Sequence, residues 1–256
     1  MAQTIFKRCE KKFLLTEGQY RAVKPLIERY MLPDRFTNYP ISNIYLDTRN
    51  FDLIRLSLGK PKYKEKLRVR FYGTAAGEDS RVFVEIKKKF DGVVYKRRVE
   101  MSLKEARDYL EGDIYPAKDS QILREIDYMK NRYGLRAKAF IAYDREAYSG
   151  RKDPELRVTF DRRIRCRDSC LDFTAGDGGE ELLEPGLVLM EVKIPGAMPL
   201  WMSREFSRQD IFMTTYSKYG TYYTRCLMPR GYAVSCPAAA VAGAAVTERR
   251  KGMQYA

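Results

Sequence analysis

Residues 64–73 read KEKLRVRFYG. In an extended strand, side chains alternate between two faces. Lys64, Lys66, Arg68 and Arg70 then share one face, and Leu67, Val69 and Phe71 the other. One such strand reads as the solvated edge of an ordinary antiparallel sheet. Its neighbours change that reading. In FVEIKKKF, Glu85, Lys87 and Lys89 oppose Val84 and Ile86. In VVYKRRVEM, Val94, Lys96, Arg98 and Glu100 share a face. LRVTFDRR sets Arg157, Thr159, Asp161 and Arg163 against Leu156, Val158 and Phe160. LVLMEVKI sets Leu189, Glu191 and Lys193 against Val188, Met190, Val192 and Ile194. FKRCEKKF aligns Phe6, Arg8, Glu10 and Lys12. A solvent face usually intersperses charge signs, because like charges side by side repel. Here cations dominate strand after strand.

Strand-like segments are expected at 5–15, 41–48, 64–73, 81–90, 93–101, 138–149, 155–164 and 187–195. Asp91-Gly92 is a two-residue hairpin signal, and the polar GTAAGEDS link implies a second hairpin before it. Helices are expected from Thr16 to about Met31, over MSLKEARDYLEG with Ser102 as cap, over 119–133 from an Asp119 cap to Gly134, and over 199–208. Pro25 predicts a kink or a late start in the first. Eight strands are about the number that closes into a barrel. With charge inside, the apolar strand faces turn outward and need the helices as cover. The expected fold is therefore α+β: an eight-stranded antiparallel barrel with a charged lumen, clad in α-helices. The domain is expected over 1–228, with 229–256 a poorly ordered tail containing AAAVAGAAV.

Composition narrows the chemistry. The 256 residues carry a net charge of +14, which predicts an anionic partner. There is no histidine, which removes serine and cysteine hydrolase triads and imidazole acid–base chemistry. Five cysteines without framework spacing read as reduced thiols; the lone Cys166/Cys170 pair is a poor metal signature. The charged N-terminal residues do not read as a signal peptide, and no apolar run has the length of a membrane span. A cytoplasmic location follows as the expectation. The cations alternate along strands without an aromatic stacking face, so nucleic acid is not the expected partner.

The segments resemble the VTC domain, the polyphosphate-polymerase module of the vacuolar transporter chaperone family, within the triphosphate tunnel metalloenzyme and CYTH-like superfamily. The matching pieces are EKKF (10–13), IYLDT (44–48), KLRVRFYG (66–73), VFVEIKKK (82–89), YKRRVEMSL (95–103), YDREAY (143–148), LRVTFD (156–161), LMEVKIP (189–195) and YSKYG (216–220). They fall in order over roughly residues 5–222. The resemblance implies a tunnel that binds the triphosphate of ATP. It implies phosphate ligands at Lys12, Arg68, Arg70, Lys87, Arg98, Arg145, Arg157 and Lys218, with Lys96 and Lys193 as neighbours able to share the role. Arg68, Arg70, Lys87 and Glu191 are the implied catalytic set. Glu191 is the implied ligand for Mn2+ or Mg2+, with Glu85 and Asp161 as further candidates; Glu10 and Glu85 more readily order cations. The family's second lysine before the YSKYG-like motif is Thr215 here. Tyr45 and Asp47 read as packing and a strand-end cap. Lys64 and Lys66 read as tunnel-mouth charges without an assigned contact.

The implied activity is ATP-dependent polyphosphate polymerisation. The alternatives are an inorganic or nucleoside triphosphatase, and a non-catalytic module that binds polyphosphate or inositol phosphates. ATP and inorganic polyphosphate or triphosphate are the expected ligands. The chain reads as a stand-alone catalytic module, with any membrane-protein partners unspecified.

Overall fold

The computed structural model describes residues 5–6, 9–34, 38–91 and 93–232. The expected tail falls mostly on 233–256, outside the described residues. Twelve strands form one antiparallel sheet: β1 (Ile5–Phe6), β2 (Cys9–Thr16), β3 (Met31–Pro33), β4 (Tyr39–Asp47), β5 (Tyr63–Tyr72), β6 (Arg81–Phe90), β7 (Val93–Ser102), β8 (Arg136–Gly150), β9 (Arg157–Arg167), β10 (Glu180–Glu181), β11 (Leu187–Ile194) and β12 (Met213–Thr214). The helices are α1 (Glu17–Tyr30), α2 (Asp52–Leu58), α3 (Leu103–Leu110), α4 (Gln121–Tyr133), α5 (Leu200–Arg208) and α6 (Lys218–Tyr222), followed by a π-helical segment, Tyr223–Tyr232.

All eight expected strands are present, and the period-2 charge pattern places them correctly. The strand order is β1-β7-β6-β5-β4-β8-β9-β11-β2-β12. The first expected strand is divided between opposite ends of this order. Ile5 and Phe6 pair with β7, whereas Cys9 to Thr16 pair with β11. Phe6 and Cys9 are three residues apart, so at most about 11 Å of chain joins the two ends there. Curvature is also visible in side chains. Five strands separate β6 from β2 along the sheet, which would put them about 29 Å apart if it were flat. Yet Lys87 Nζ on β6 lies 4.0 Å from Glu10 Oε2 on β2. The sheet curls until its charged faces meet. Ladder pairing around a closed barrel is not seen among the described residues.

The outer face is apolar and covered by helices, as its alternation requires. Leu67, Val69, Val84 and Ile86 pack beneath α3 and α4. Phe13, Leu15, Val158, Met190 and Val192 pack beneath α1 and α5. Capping boxes start α1 at Thr16/Gln19 and α3 at Ser102/Glu105. α1 begins at Glu17, so Pro25 does not delay its start. Ser120, not Asp119, caps α4, because its hydroxyl reaches Leu123 N.

The inner face departs from expectation. α2 and α6 do not clad the outside. They pack inside the curl, where Phe51, Ile54, Tyr219 and Tyr222 join Tyr45, Ile141, Tyr143, Ile164 and Leu189 in a third apolar cluster. The lumen is therefore part cationic and part plugged. Asp47 sets the plug: its carboxylate accepts from the backbone of Thr48, Leu53 and Ile54 at 2.8–3.0 Å and from Tyr219 Oη at 3.0 Å. The expected strand-end cap is this group. One inward assignment fails. The β8–β9 register shifts between Ala142 and Asp144, and Arg163 adopts φ 46°, so it turns out to pair with Asp144.

Candidate functional site

Two buried carboxylates organise the inward cations. Glu85 on β6 is 1% exposed. Its Oε2 accepts from Arg68 Nε at 2.9 Å and Nη2 at 2.7 Å, and its Oε1 lies 2.7 Å from Lys96 Nζ. Arg70 Nε stands 3.8 Å from the same carboxylate. The register explains this cluster, since Arg68 on β5 and Arg98 on β7 flank Glu85. Burial pushes the Glu85 carboxyl up, but Arg68, Arg70 and Lys96 hold it far below the usual carboxylate range. Lys96 is pushed down to about 7, by burial first and by the nearby arginines, against the pull of Glu85.

The second organiser is Asp161 on β9, fully buried. Arg145 grips it with both arms of its fork, at 2.6 and 2.7 Å, and Lys218 Nζ approaches at 2.5 Å. Glu191 on β11 stands beside it. Its Oε1 lies 3.0 Å from Lys12 and 3.3 Å from Lys218, and its Oε2 3.4 Å from Arg145. Burial opposes its ionisation, but Lys218, Lys12 and Arg145 keep it well below the ordinary carboxylate range. Lys12 and Lys218 are raised in turn: burial works against their charge and the carboxylates outweigh it. Glu10, opposite Lys193 on β11 and 3.4 Å from Lys12, is also lowered, with burial overcome chiefly by Lys87. Lys193 itself is lowered by burial.

The structure thus gathers Lys12, Arg68, Arg70, Lys87, Lys96, Arg145, Lys193, Lys218 and Glu191 on one concave face. Arg98 and Arg157 project from it too, but are exposed. Arg98 stacks on the Phe83 ring at 4.5 Å, and neither arginine has a carboxylate partner among the described residues. Lys218 is not a helix-surface lysine; it is 8% exposed and its ammonium sits 4.4 Å from the Tyr143 ring.

Sequence reasoning missed three polar supports. Tyr45 Oη accepts from Arg68 Nη1 at 3.1 Å. Asn43 Oδ1 accepts from Arg70 Nε at 3.1 Å, and its Nδ2 donates to Ile141 O. Tyr143 lies among Arg145, Arg70 and Lys218, which lower its pKa despite burial. Asn43 and Tyr45 were readable by parity, since they share the face of Asp47.

Arg68 and Arg145 are fixed by carboxylates they cannot leave cheaply, because an unpaired buried charge is costly. Such cations are held in place before an anion arrives. Glu85 and Asp161, considered as metal ligands, have their oxygens occupied by cations and serve as counter-ions. Among the described residues, no three acidic or thiol side chains form a ready-made metal cage. Glu191 differs in that its cation contacts are longer, at 3.0–3.4 Å, and its oxygens are hard donors that would suit Mg2+ or Mn2+ arriving with phosphates. Glu10 is near enough to feel its charge.

Comparison with known proteins gives a family and a fold. The VTC domain family matches residues 7–226. No curated protein sequence matches the chain. A candidate adenylate cyclase from Bacillus halodurans shares the fold at a TM-score of 0.52 and 12% identity, covering 84% of this chain and 96% of its own. A candidate adenylate cyclase from Vibrio parahaemolyticus aligns at 0.44 and 12% identity, over 86% and 98% of the two chains. The Mimivirus capping enzyme triphosphatase aligns at 0.33 and 8% identity, over 78% and 88%.

Proposed function

The chain belongs to the VTC domain family of triphosphate tunnel proteins, which handle phosphate compounds, and on that premise we propose that it is an ATP-dependent polyphosphate polymerase. A terminal oxygen of a polyphosphate chain attacks the γ-phosphorus of ATP. The bond from that phosphorus to the β–γ bridging oxygen breaks, ADP leaves, and the chain is one phosphate longer.

One observation carries the choice of polymerase over hydrolase. Glu10, Glu85 and Glu191 of the concave face each have lysine or arginine nitrogens against their oxygens, and these cations hold the three carboxyls below their ordinary pKa. A carboxylate so stabilised is a weak base for activating water. A phosphate nucleophile is already ionised and needs no base. Phosphoryl transfer then depends on positioning and charge neutralisation. Arg68, Arg70 and Arg145 supply forked donors for phosphate oxygens; Lys12, Lys87 and Lys218 supply point charges. Glu191 would hold a divalent ion, which when bound neutralises charge on the transferring group.

Purified protein incubated with ATP and Mn2+ is expected to yield a ladder of long phosphate chains on a gel. Free phosphate without chains overturns the polymerase reading in favour of a triphosphatase. Glu191→Gln is expected to abolish turnover while largely sparing tripolyphosphate binding. Binding without turnover in the wild-type protein would leave a non-catalytic phosphate module.

A further inference from the structure

Arg68, Arg70 and Arg145 spend their donors differently. Arg68 donates from each of its nitrogens: Nε and Nη2 to Glu85, and Nη1 to Tyr45 Oη. Arg145 commits Nε and Nη2 to Asp161. Arg70 commits Nε alone. That nitrogen donates to Asn43 Oδ1 at 3.1 Å, and Glu85, at 3.8 Å, stands beyond its hydrogen-bond reach. Among the described residues, neither Nη1 nor Nη2 of Arg70 has an acceptor. The side chain is 9% exposed, so little solvent reaches these donors, and leaving them without an acceptor is costly. The end of the fork carries parallel N–H groups, which match two oxygens of one phosphate.

Asn43 makes that orientation. On β4 it pairs across the sheet with Arg70 on β5 and with Ile141 on β8. Its Nδ2 donates to Ile141 O at 3.1 Å. With its nitrogen held by a carbonyl, the amide keeps its oxygen aimed at Arg70 Nε. Asn43 is fully buried, so it acts on a ligand only through Arg70. A carboxylate here would accept the same hydrogen bond. It would also neutralise Arg70 and draw the fork side-on, as Glu85 does to Arg68. The neutral amide fixes the plane of the guanidinium and leaves its charge for an incoming anion.

We propose that Asn43 is a positioning residue for phosphate binding: it orients Arg70 so that both terminal nitrogens of the fork meet one phosphate of the ligand. The inference rests on the phosphate-binding reading of the concave face and is independent of the choice between polymerase and triphosphatase.

The test is calorimetric titration of tripolyphosphate into the wild-type protein and into variants at both positions. Asn43→Ala should weaken binding about tenfold, the order expected for one hydrogen bond to a charged group. Asn43→Asp should weaken it further, although it keeps the shape and the acceptor, because it adds a competing counter-charge. A merely structural role predicts the reverse order. In an Arg70→Ala background, Asn43→Ala should change affinity by less than about twofold, since the two side chains act as one unit. Arg70→Lys leaves Asn43 in place and keeps the charge but has no fork to orient; it should also lose about tenfold, and it reads the idea even where an Asn43 variant does not fold. Wild-type affinity in Arg70→Lys overturns the proposal. So does wild-type affinity in Asn43→Asp, or losses that simply add in the double variant. A wild-type protein that does not bind tripolyphosphate overturns both this inference and the phosphate-binding reading. One that binds it but releases only free phosphate from ATP rejects the polymerase reading alone, and the expected losses in the variants would still uphold the role of Asn43.

Discussion

Glu85→Gln separates electrostatic preorganisation from packing, because glutamine keeps the shape and removes the charge. Glu85 is 1% exposed and faces Arg68 at 2.7 Å, Lys96 at 2.7 Å and Arg70 at 3.8 Å. Without it, those cations lose their shared counter-ion. Removing one partner of a buried ion pair costs about 3–5 kcal/mol. Lys96 is 36% exposed and Arg68 19%, so solvent screens part of the loss and about 3 kcal/mol is the better figure. For a chain of this size each kcal/mol moves Tm by roughly 2–4 °C, so a fall of roughly 6–12 °C is expected. A phosphate ligand can replace the missing charge. The variant should therefore bind tripolyphosphate more tightly than the wild-type protein, and its Tm deficit should shrink when the ligand saturates both. Scanning calorimetry with and without tripolyphosphate measures both effects. An unchanged Tm without ligand refutes the counter-ion role. A deficit equally large with ligand refutes the claim that phosphate and Glu85 neutralise the same cations.

Two further outcomes follow from the same electrostatics and from the plug. Asp47→Ala leaves three backbone N–H groups and Tyr219 Oη without their acceptor; at about 1–3 kcal/mol per buried unsatisfied group, a loss of at least 3 kcal/mol is expected in urea unfolding, and a loss below about 1 would mean that Asp47 does not hold α2 and α6. Lys66 is lowered to about 7 by burial first, then by Lys87, Lys64 and Lys12. It is mostly neutral at pH 8 in the free protein, and a bound polyanion favours its charged form. Binding of long-chain polyphosphate at pH 8 should therefore take up protons, and affinity should fall as pH rises through about 7. Calorimetry in buffers of differing ionisation enthalpy reads this, and identical heats would refute it.

The strands were legible because their faces differ so sharply. Arg68, Arg70, Glu85, Lys87 and Glu191 were assignable by parity alone, and the outward Leu67, Val69, Val84 and Ile86 fixed where the covering helices pack. The partnerships were not legible. Glu10 meets Lys87, and Lys12 meets Lys218 through Glu191, only because the sheet curls and α6 returns inside it. No local pattern carries that closure. α2 was missed for a related reason. It has seven residues, and its cap comes from Asp47 at the end of the preceding strand rather than from its own N-cap residue, Phe51, which makes no side-chain cap bond. Arg163 was misplaced because a bulge shifts parity without changing composition.

Those unread elements bear on chemistry. Tyr45 stacks on Tyr219 at 4.8 Å while its hydroxyl accepts from Arg68. Tyr143 joins the apolar plug while its ring lies under Lys218 and Arg145. The plug and the cation surface thus share side chains. Apolar packing behind the cations excludes water on one side, which strengthens their attraction for phosphate on the other. The same packing prevents Arg68 and Arg145 from relaxing toward solvent when empty. Their carboxylates must then carry the electrostatic load of the free state, and Glu85 and Asp161 are more buried than the cations they hold. A surface built this way has its affinity set by how far an incoming anion can outcompete those two carboxylates, and each phosphate that does so is held by cations already in position.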